Sequence, residues 1–353
     1  MVYGLVRPLL FAIEPEKAHG LAMASLRLLD KTGMLGKLYP PHKDEVTLWG
    51  LKFSNRIGLA AGLDKNGDSI DALSSLGFGF LEIGTVTPLP QDGNPRPRMF
   101  RLVAHQALIN RLGFNNLGVD RLVQNVRASR RRCVLGISIG KNAKTSEQNT
   151  IDDYLFCLER AFPVADYVAV NISSPNTVGL RGLQFLNVLP AFLNPIKDKQ
   201  LKLQRQYGRM VPLLVKIAPD LSSDEVRGIG RVLLDCGVDG VIATNSTITR
   251  SGVESHPLAF QAGGLTGAPL SRVSLRVVRE LAEVVQGRLP IVGSGGVMSP
   301  TDAAALVEAG ADLVQLYTGL IYNGPSFIAK AARAADAAKT VSLWADSPQK
   351  RLP

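Results

Sequence analysis

Short runs of apolar and β-branched residues punctuate the chain from residue 57 onward: Ile57–Ala61, Phe80–Thr85, Val134–Ile139, Tyr167–Asn171, Leu213–Ile217, Gly240–Thr244, Pro290–Ser294 and Leu313–Tyr317. They lack the strict alternation of a strand with one wet face, which is how strands covered on both faces read. Between most of them lie stretches with helical spacing: Gly67–Leu76, Ile151–Phe162, Ser223–Cys236, Ser271–Gln286 and Thr301–Glu308. Capping residues open several of these, at Ser222/Ser223 and Ser299–Pro300–Thr301, and glycines close them at Gly77, Gly237 and Gly310. Strands alternating with helices over residues 57–317 predict an α/β fold, a (β/α)8 TIM barrel, with an open doubly wound sheet as the competitor.

The strand ends favour the barrel. Each run finishes in residues too small or too polar for its interior: Ala61–Gly62, Thr85, Ser138, Asn171, Lys216, Thr244–Asn245, Ser294–Gly295–Gly296 and Tyr317–Thr318–Gly319. A closed barrel gathers all its carboxyl ends around one mouth, whereas an open sheet gathers only those at its switch point. Three connections exceed a simple turn: 86–133, expected to make a hairpin excursion, 172–212 and 245–270. Long polar loops at a barrel mouth are where lids form.

Residues 1–40 follow another rhythm. Val2 to Ile13 is mostly apolar, and after Pro15 the residues Ala18, Leu21, Ala22, Ser25, Leu28 and Leu29 share one helical face. Two short apolar helices must dock on something, either as a cover on the barrel or as an amphipathic hairpin dipping into a membrane interface. The expected organisation is therefore an N-terminal segment at 1–40, a barrel at 41–340 and a tail at 341–353.

Composition narrows the partners. Lys plus Arg is 40 against 30 for Asp plus Glu, a formal charge of +10 that favours anionic partners without choosing among them. Cys133, Cys157 and Cys236 are widely spaced, which argues against a disulfide framework or zinc site and for small core residues. No His-containing metal spacing occurs, so metal catalysis is not expected. No apolar run reaches the length of a spanning helix, and the opening lacks the pattern of a signal peptide. The mature chain is expected to begin at Met1 and to stay on the cytoplasmic side.

Three clusters carry chemistry. Glycines at Ser294–Gly295–Gly296 and Tyr317–Thr318–Gly319 follow the last two strands, a common phosphate site in this fold. After the first strand the text reads Ala60–Ala61–Gly62–Leu63–Asp64, with no dinucleotide fingerprint, which disfavours NAD. Lys216 lies inside an apolar run and calls for a partner: a reduced flavin, a phosphate, a carbonyl substrate or an internal ion pair. Lys65 is a second cation, with a solvated loop charge as its plain alternative. The run Asn171–Ile172–Ser173–Ser174–Pro175–Asn176–Thr177, with Asn110–Asn116 and Thr244–Thr247, suggests a small, flat, hydrogen-bonding substrate bearing negative charge. Any one of these runs alone is equally good turn chemistry.

AAGLDKNG, EIGTVTP, NRLGFNN, IGKN, NISSPNT, LVKIAPD, ATNST, GGLTG and QLYTGL occur in this order. Together they resemble the dihydroorotate dehydrogenase family over essentially the whole chain, and residues 1–40 resemble the extension of its membrane-associated, quinone-using class. The resemblance implies an FMN-containing barrel that oxidises dihydroorotate to orotate in pyrimidine synthesis, a peripheral association with the membrane, and no nucleic acid partner; a monomer is expected. It implies Ser174 as catalytic base, in a site closed against water. Lys65, Asn110, Arg111, Leu112, Gly113, Phe114, Asn115, Asn171, Asn176, Asn245 and Ser246 match substrate positions. Ala61, Gly62, Leu63, Asp64, Lys65, Thr85, Ser138, Asn171, Lys216, Thr244, Gly267, Gly296, Tyr317 and Thr318 match flavin positions, the last three around the phosphate. Ser138 stands where the family pattern has Asn. His19, Arg101 and Tyr317 are expected along the quinone path.

Two other functions compete. A tRNA dihydrouridine synthase-like flavoprotein would use the basic stretch Arg127, Arg130, Arg131 and Arg132, but would carry Cys where Ser174 stands. A phosphate-ligand carrier on a barrel is the non-enzyme alternative.

Overall fold

The computed structural model describes residues 2–345. In chain order its strands are β1 (Val46–Leu48), β2 (Leu51–Phe53), β3 (Ile57–Leu59), β4 (Phe80–Val86), β5 (Met99–Leu102), β6 (Ala107–Asn110), β7 (Val134–Ile139), β8 (Tyr167–Asn171), β9 (Leu213–Ile217), β10 (Gly240–Ala243), β11 (Gly264–Gly267), β12 (Ile291–Ser294) and β13 (Leu313–Leu316). β3, β4, β7, β8, β9, β10, β12 and β13 pair in parallel, each with the next, and β13 closes on β3. All eight expected apolar runs are therefore barrel strands, and the fold is a (β/α)8 barrel.

The helices are α1 (Val2–Ala12), α2 (Pro15–Lys31), α3 (Met34–Leu38), α4 (Ile70–Ser74), α5 (Val119–Ala128), α6 (Thr150–Ala161), α7 (Leu189–Tyr207), α8 (Ser223–Asp235), α9 (Ser271–Val285), α10 (Pro300–Glu308), α11 (Thr318–Asn323) and α12 (Ser326–Ala345). Capping boxes open α8 (Ser222 with Glu225) and α10 (Ser299 with Asp302). The helix expected at Gly67–Leu76 shrinks to α4. The Asp64 carboxylate takes the amides of Asp68 at 3.0 Å and Ser69 at 2.8 Å, so those residues serve a turn instead. The 341 boundary falls inside α12; the rest of the expected tail, 346–353, lies outside the described residues.

Two small sheets finish the barrel. The antiparallel hairpin β1–β2 covers its amino-terminal end, where Phe53, Phe80, Tyr167 and Leu214 pack with Trp49 into an apolar floor. At the other end the 86–133 connection forms β5–β6, and β11 from the 245–270 connection joins β6, pairing Leu265 with Ile109.

Of the apolar stripe on α2, Leu21, Leu28 and Leu29 are exposed and Ala18 is buried; off that stripe, Met23 is buried and Leu26 half-buried. The docked face is set by polar anchors. Glu16 binds Arg98, and Arg101 donates to the carbonyls of Ile13 at 2.7 Å and Phe11 at 3.3 Å.

Candidate active site

The barrel strands deliver their polar tips to one cleft of about 940 Å³, open mouth included. Its lining includes two cations, Lys65 and Lys216, and no carboxylate or imidazole among the described residues. Such a lining is built for an anion.

Lys65 sits on the turn after β3 and donates to the Gly62 carbonyl at 2.9 Å. Burial, followed by the nearby Arg98 charge, lowers its pKa from 10.5 to about 8, with Glu16 opposing. Lys216, near the end of β9, lies 3.6 Å from Glu82 of β4. Of the partners weighed for Lys216, the internal ion pair is the one present in this structure.

The amides and hydroxyls form one network. Asn171 donates to Thr85 Oγ1 at 2.8 Å, and its Oδ1 accepts from Ser173 Oγ at 3.2 Å. Asn245 donates to Ser173 Oγ at 3.0 Å and fixes Ser246 by accepting its amide at 2.7 Å. Asn176 reaches the Asn110 carbonyl at 3.3 Å, tying the loop after β8 to β6. Ser174 is buried and, among the described residues, accepts only from the Asn176 amide, at 3.3 Å, so its own proton and a lone pair stay uncommitted there.

The Gly295–Gly296 turn after β12 has φ of 103° and 74°. At Gly296 a Cβ would stand 2.2 Å from the Cα of Ser271, where α9 starts, so no other residue fits. Tyr317 follows the neighbouring strand β13 and lies beside Gly62; burial pushes its phenol up to about 12.

Most expected residues converge on this cleft: Ser174, Lys65, Asn110, Leu112, Gly113, Phe114, Asn171, Asn176, Asn245, Ser246, Ala61, Gly62, Thr85, Lys216, Thr244, Gly267, Gly296, Tyr317 and Thr318. Several do not line it. Arg111 is spent on Gln261 at 2.8 Å and the Pro97 carbonyl at 2.9 Å, stacked on Phe100. The Asp64 carboxylate holds its own turn, and Leu63 is buried in the apolar core. Ser138 is wholly buried and meets the cleft only through Thr85, at 2.9 Å; a hydroxyl is too short to reach past it. Asn115 faces a second cleft, its Oδ1 buried without a partner.

That second cleft runs between α2 and the barrel, and shares Gly62, Lys65, Leu112 and Tyr317 with the first. His19 lines it, held by burial and then by the Lys65 charge at a pKa of about 4, and so is neutral at pH 7. Arg101 does not line it; its guanidinium anchors the chain between α1 and α2 over the Phe11 ring.

Glu82 and Gln315 were missed in the sequence, although an acid inside the run FLEIGTV was a signal. Within the basic stretch, Arg131 is paired with Asp166 at 2.8 Å, which weakens the RNA alternative.

The family model for dihydroorotate dehydrogenase matches residues 44–335. The chain belongs to the dihydroorotate dehydrogenase family. It is 53% identical to the dihydroorotate dehydrogenase (quinone) of Chromobacterium violaceum, over 95% of this chain and 97% of the relative. The relative of the same description in Acinetobacter baylyi is 51% identical, over 93% and 98%. Among solved structures, Eimeria tenella DHODH in complex with ferulenol is similar at a TM-score of 0.82 and 36% identity, covering 94% of this chain and 92% of that one. The ligand-free form matches at 0.80 and 37%, over 92% and 95%. Dihydroorotate dehydrogenases are oxidoreductases, and this chain is a member of the quinone group by its relatives.

Proposed function

We propose that the protein oxidises dihydroorotate to orotate in pyrimidine synthesis, with FMN as hydride acceptor and a membrane quinone as final oxidant. The observation that carries this is the cleft itself: two lysines, a fixed amide network and a free serine hydroxyl, with no acid or imidazole in the lining. The residues fit a planar, phosphate-bearing cofactor. Gln315 Oε1 is buried at the cleft without a partner, and the Gly295–Gly296 turn leaves backbone, not side chains, facing the space. When bound, FMN supplies a ring that takes hydride from the substrate and passes electrons on to quinone.

Lys216, Asn171 and Thr85 would hold its ring and the Gly296 and Thr318 backbone its phosphate. Lys65 supplies the positive charge for the substrate carboxylate. Asn110, Asn176, Asn245 and Ser246 read the edges of the pyrimidine ring by donor and acceptor. Ser174 takes the proton from the ring carbon beside the carbonyl as the carbon–carbon double bond forms. With no carboxylate or imidazole lining the cleft, that proton leaves through a hydroxyl or solvent. The β5–β6–β11 sheet borders the mouth and helps keep water out.

The second cleft is the proposed quinone path, because it shares Tyr317 and Gly62 with the first and ends at α2. No helix among the described residues is long and apolar enough to cross a membrane. α1 and α2 instead carry Leu5, Leu9 and Leu28 at 79%, 70% and 67% exposure, which supports a peripheral seat on a membrane surface; the cytoplasmic face is part of the proposal.

The test is anaerobic. Purified protein should show a flavin spectrum that bleaches with dihydroorotate and returns with a quinone analogue. Ser174→Ala should keep the flavin and slow bleaching by about 10²- to 10⁴-fold. Undiminished bleaching in that variant would remove Ser174 as base.

A further inference from the structure

Glu82 sits in the middle of β4, wholly buried inside the barrel. Its Oε2 accepts from Tyr167 Oη at 3.1 Å and from Gln315 Nε2 at 2.8 Å. Its Oε1 makes no hydrogen bond among the described residues and lies 3.6 Å from Lys216 Nζ. Tyr167 reaches it because the neighbouring strand carries Gly136, where a Cβ would stand 2.0 Å from the tyrosine ring. Burial raises the Tyr167 phenol well above its ordinary value and the Glu82 charge raises it further, so it remains a donor.

A buried ion pair is a poor stabiliser compared with apolar side chains of similar volume. The barrel floor just below is filled by such side chains, Phe80 and Leu214 among them. What the carboxylate does that they could not is impose direction. A carboxylate only accepts hydrogen bonds, so Gln315 must turn its NH2 toward Glu82 and keep its carbonyl for something else. Gln315 Oε1 is buried and has no partner among the described residues, and the residue lines the active-site cleft. Lys216 also lines the cleft, and it is held by charge alone: its ammonium makes no hydrogen bond among the described residues, so its N–H donors remain available to a ligand.

We propose that Glu82 is a positioning residue for the redox reaction. It sets Gln315 as an acceptor and Lys216 as a donor toward the cofactor ring, and its negative charge offsets that of Lys216, limiting how strongly the site favours the reduced, more negative cofactor. This rests on the FMN reading above. Removal of the charge therefore raises the midpoint potential of the bound flavin.

The experiment measures that potential by dye equilibration on the flavin-loaded enzyme, for the unaltered protein, Glu82→Gln, Glu82→Asp and Tyr167→Phe. Glu82→Gln keeps shape and removes charge. It should shift the oxidised–reduced equilibrium at least tenfold toward reduced, an upward shift of about 30 mV for a two-electron couple. Glu82→Asp and Tyr167→Phe keep the charge and should stay closer to the unaltered protein. An unchanged potential in Glu82→Gln, or equal shifts in Glu82→Gln and Glu82→Asp, overturns the proposal. If Glu82→Gln does not fold, Glu82→Gln with Lys216→Met is read instead. Recovery of folded protein supports charge balance, and continued failure refutes it. An unaltered protein that cannot take up FMN would instead defeat the functional reading itself.

Discussion

Lys65 offers the sharpest quantitative test of the electrostatics. Burial brings its pKa from 10.5 to about 8, so in the free enzyme it is roughly nine-tenths protonated at pH 7 and one-tenth at pH 9. If its ammonium binds the substrate carboxylate, kcat/KM for dihydroorotate falls by about tenfold between those pH values and tenfold per unit beyond. Binding the anion favours the charged lysine, so the alkaline limb of kcat lies at higher pH than that of kcat/KM. The assay is anaerobic stopped-flow bleaching at low dihydroorotate concentration, from pH 6 to 10.5. Lys65→Arg stays charged throughout and should lose the limb; Lys65→Met should be slow and flat. Stability runs the opposite way with pH. Burying the charged form costs up to about 3 kcal/mol before solvent screening of its partly exposed head. That cost is present below pH 8 and is relieved as pH rises through 8 toward 10.5, so Lys65→Met is more stable than the unaltered protein only at the lower pH. A limb near pH 8 that persists in Lys65→Arg refutes the assignment.

Arg98 is buried and holds Glu16 together with the carbonyls of Asp92 at 2.6 Å and Asn94 at 2.9 Å. Arg98→Ala should therefore cost about 3–5 kcal/mol in denaturant unfolding and loosen α2, with Glu16→Gln costing less. His19 has its folded pKa lowered from 6.5 to about 4, mainly by burial. Its contribution is present above pH 6.5 and is lost as pH falls toward 4, by up to about 3 kcal/mol; His19→Asn should show a smaller loss of urea midpoint over that window. Leu5→Ser with Leu9→Ser should abolish binding to phospholipid vesicles while leaving the rate of flavin bleaching by dihydroorotate unchanged; undiminished vesicle binding would contradict the proposed membrane face.

The eight barrel strands were legible because a strand covered on both faces reads as an unbroken apolar run, and its chemistry collects where that run turns polar. Ser174, Lys65, Lys216 and the asparagines were legible for the same reason, as they lie at or beyond those ends. Arg111 and Asp64 belong to the same motifs, yet their side chains are spent on Gln261 and on the Asp68–Ser69 turn. Motif membership places a backbone near a site without saying which way a side chain points.

Local patterning thus determined the eight strands, their order along the chain and the residue types offered at their ends, since burial and capping act over a few residues. Tertiary structure alone decided that Leu265 pairs with Ile109 across the mouth, and that Leu28 faces outward while Met23 docks. It also decided that Glu82 meets Lys216 and Gln315, contributed by strands far apart in the chain. Those contacts depend on closure of the barrel, which brings distant side chains within hydrogen-bonding and Coulomb range.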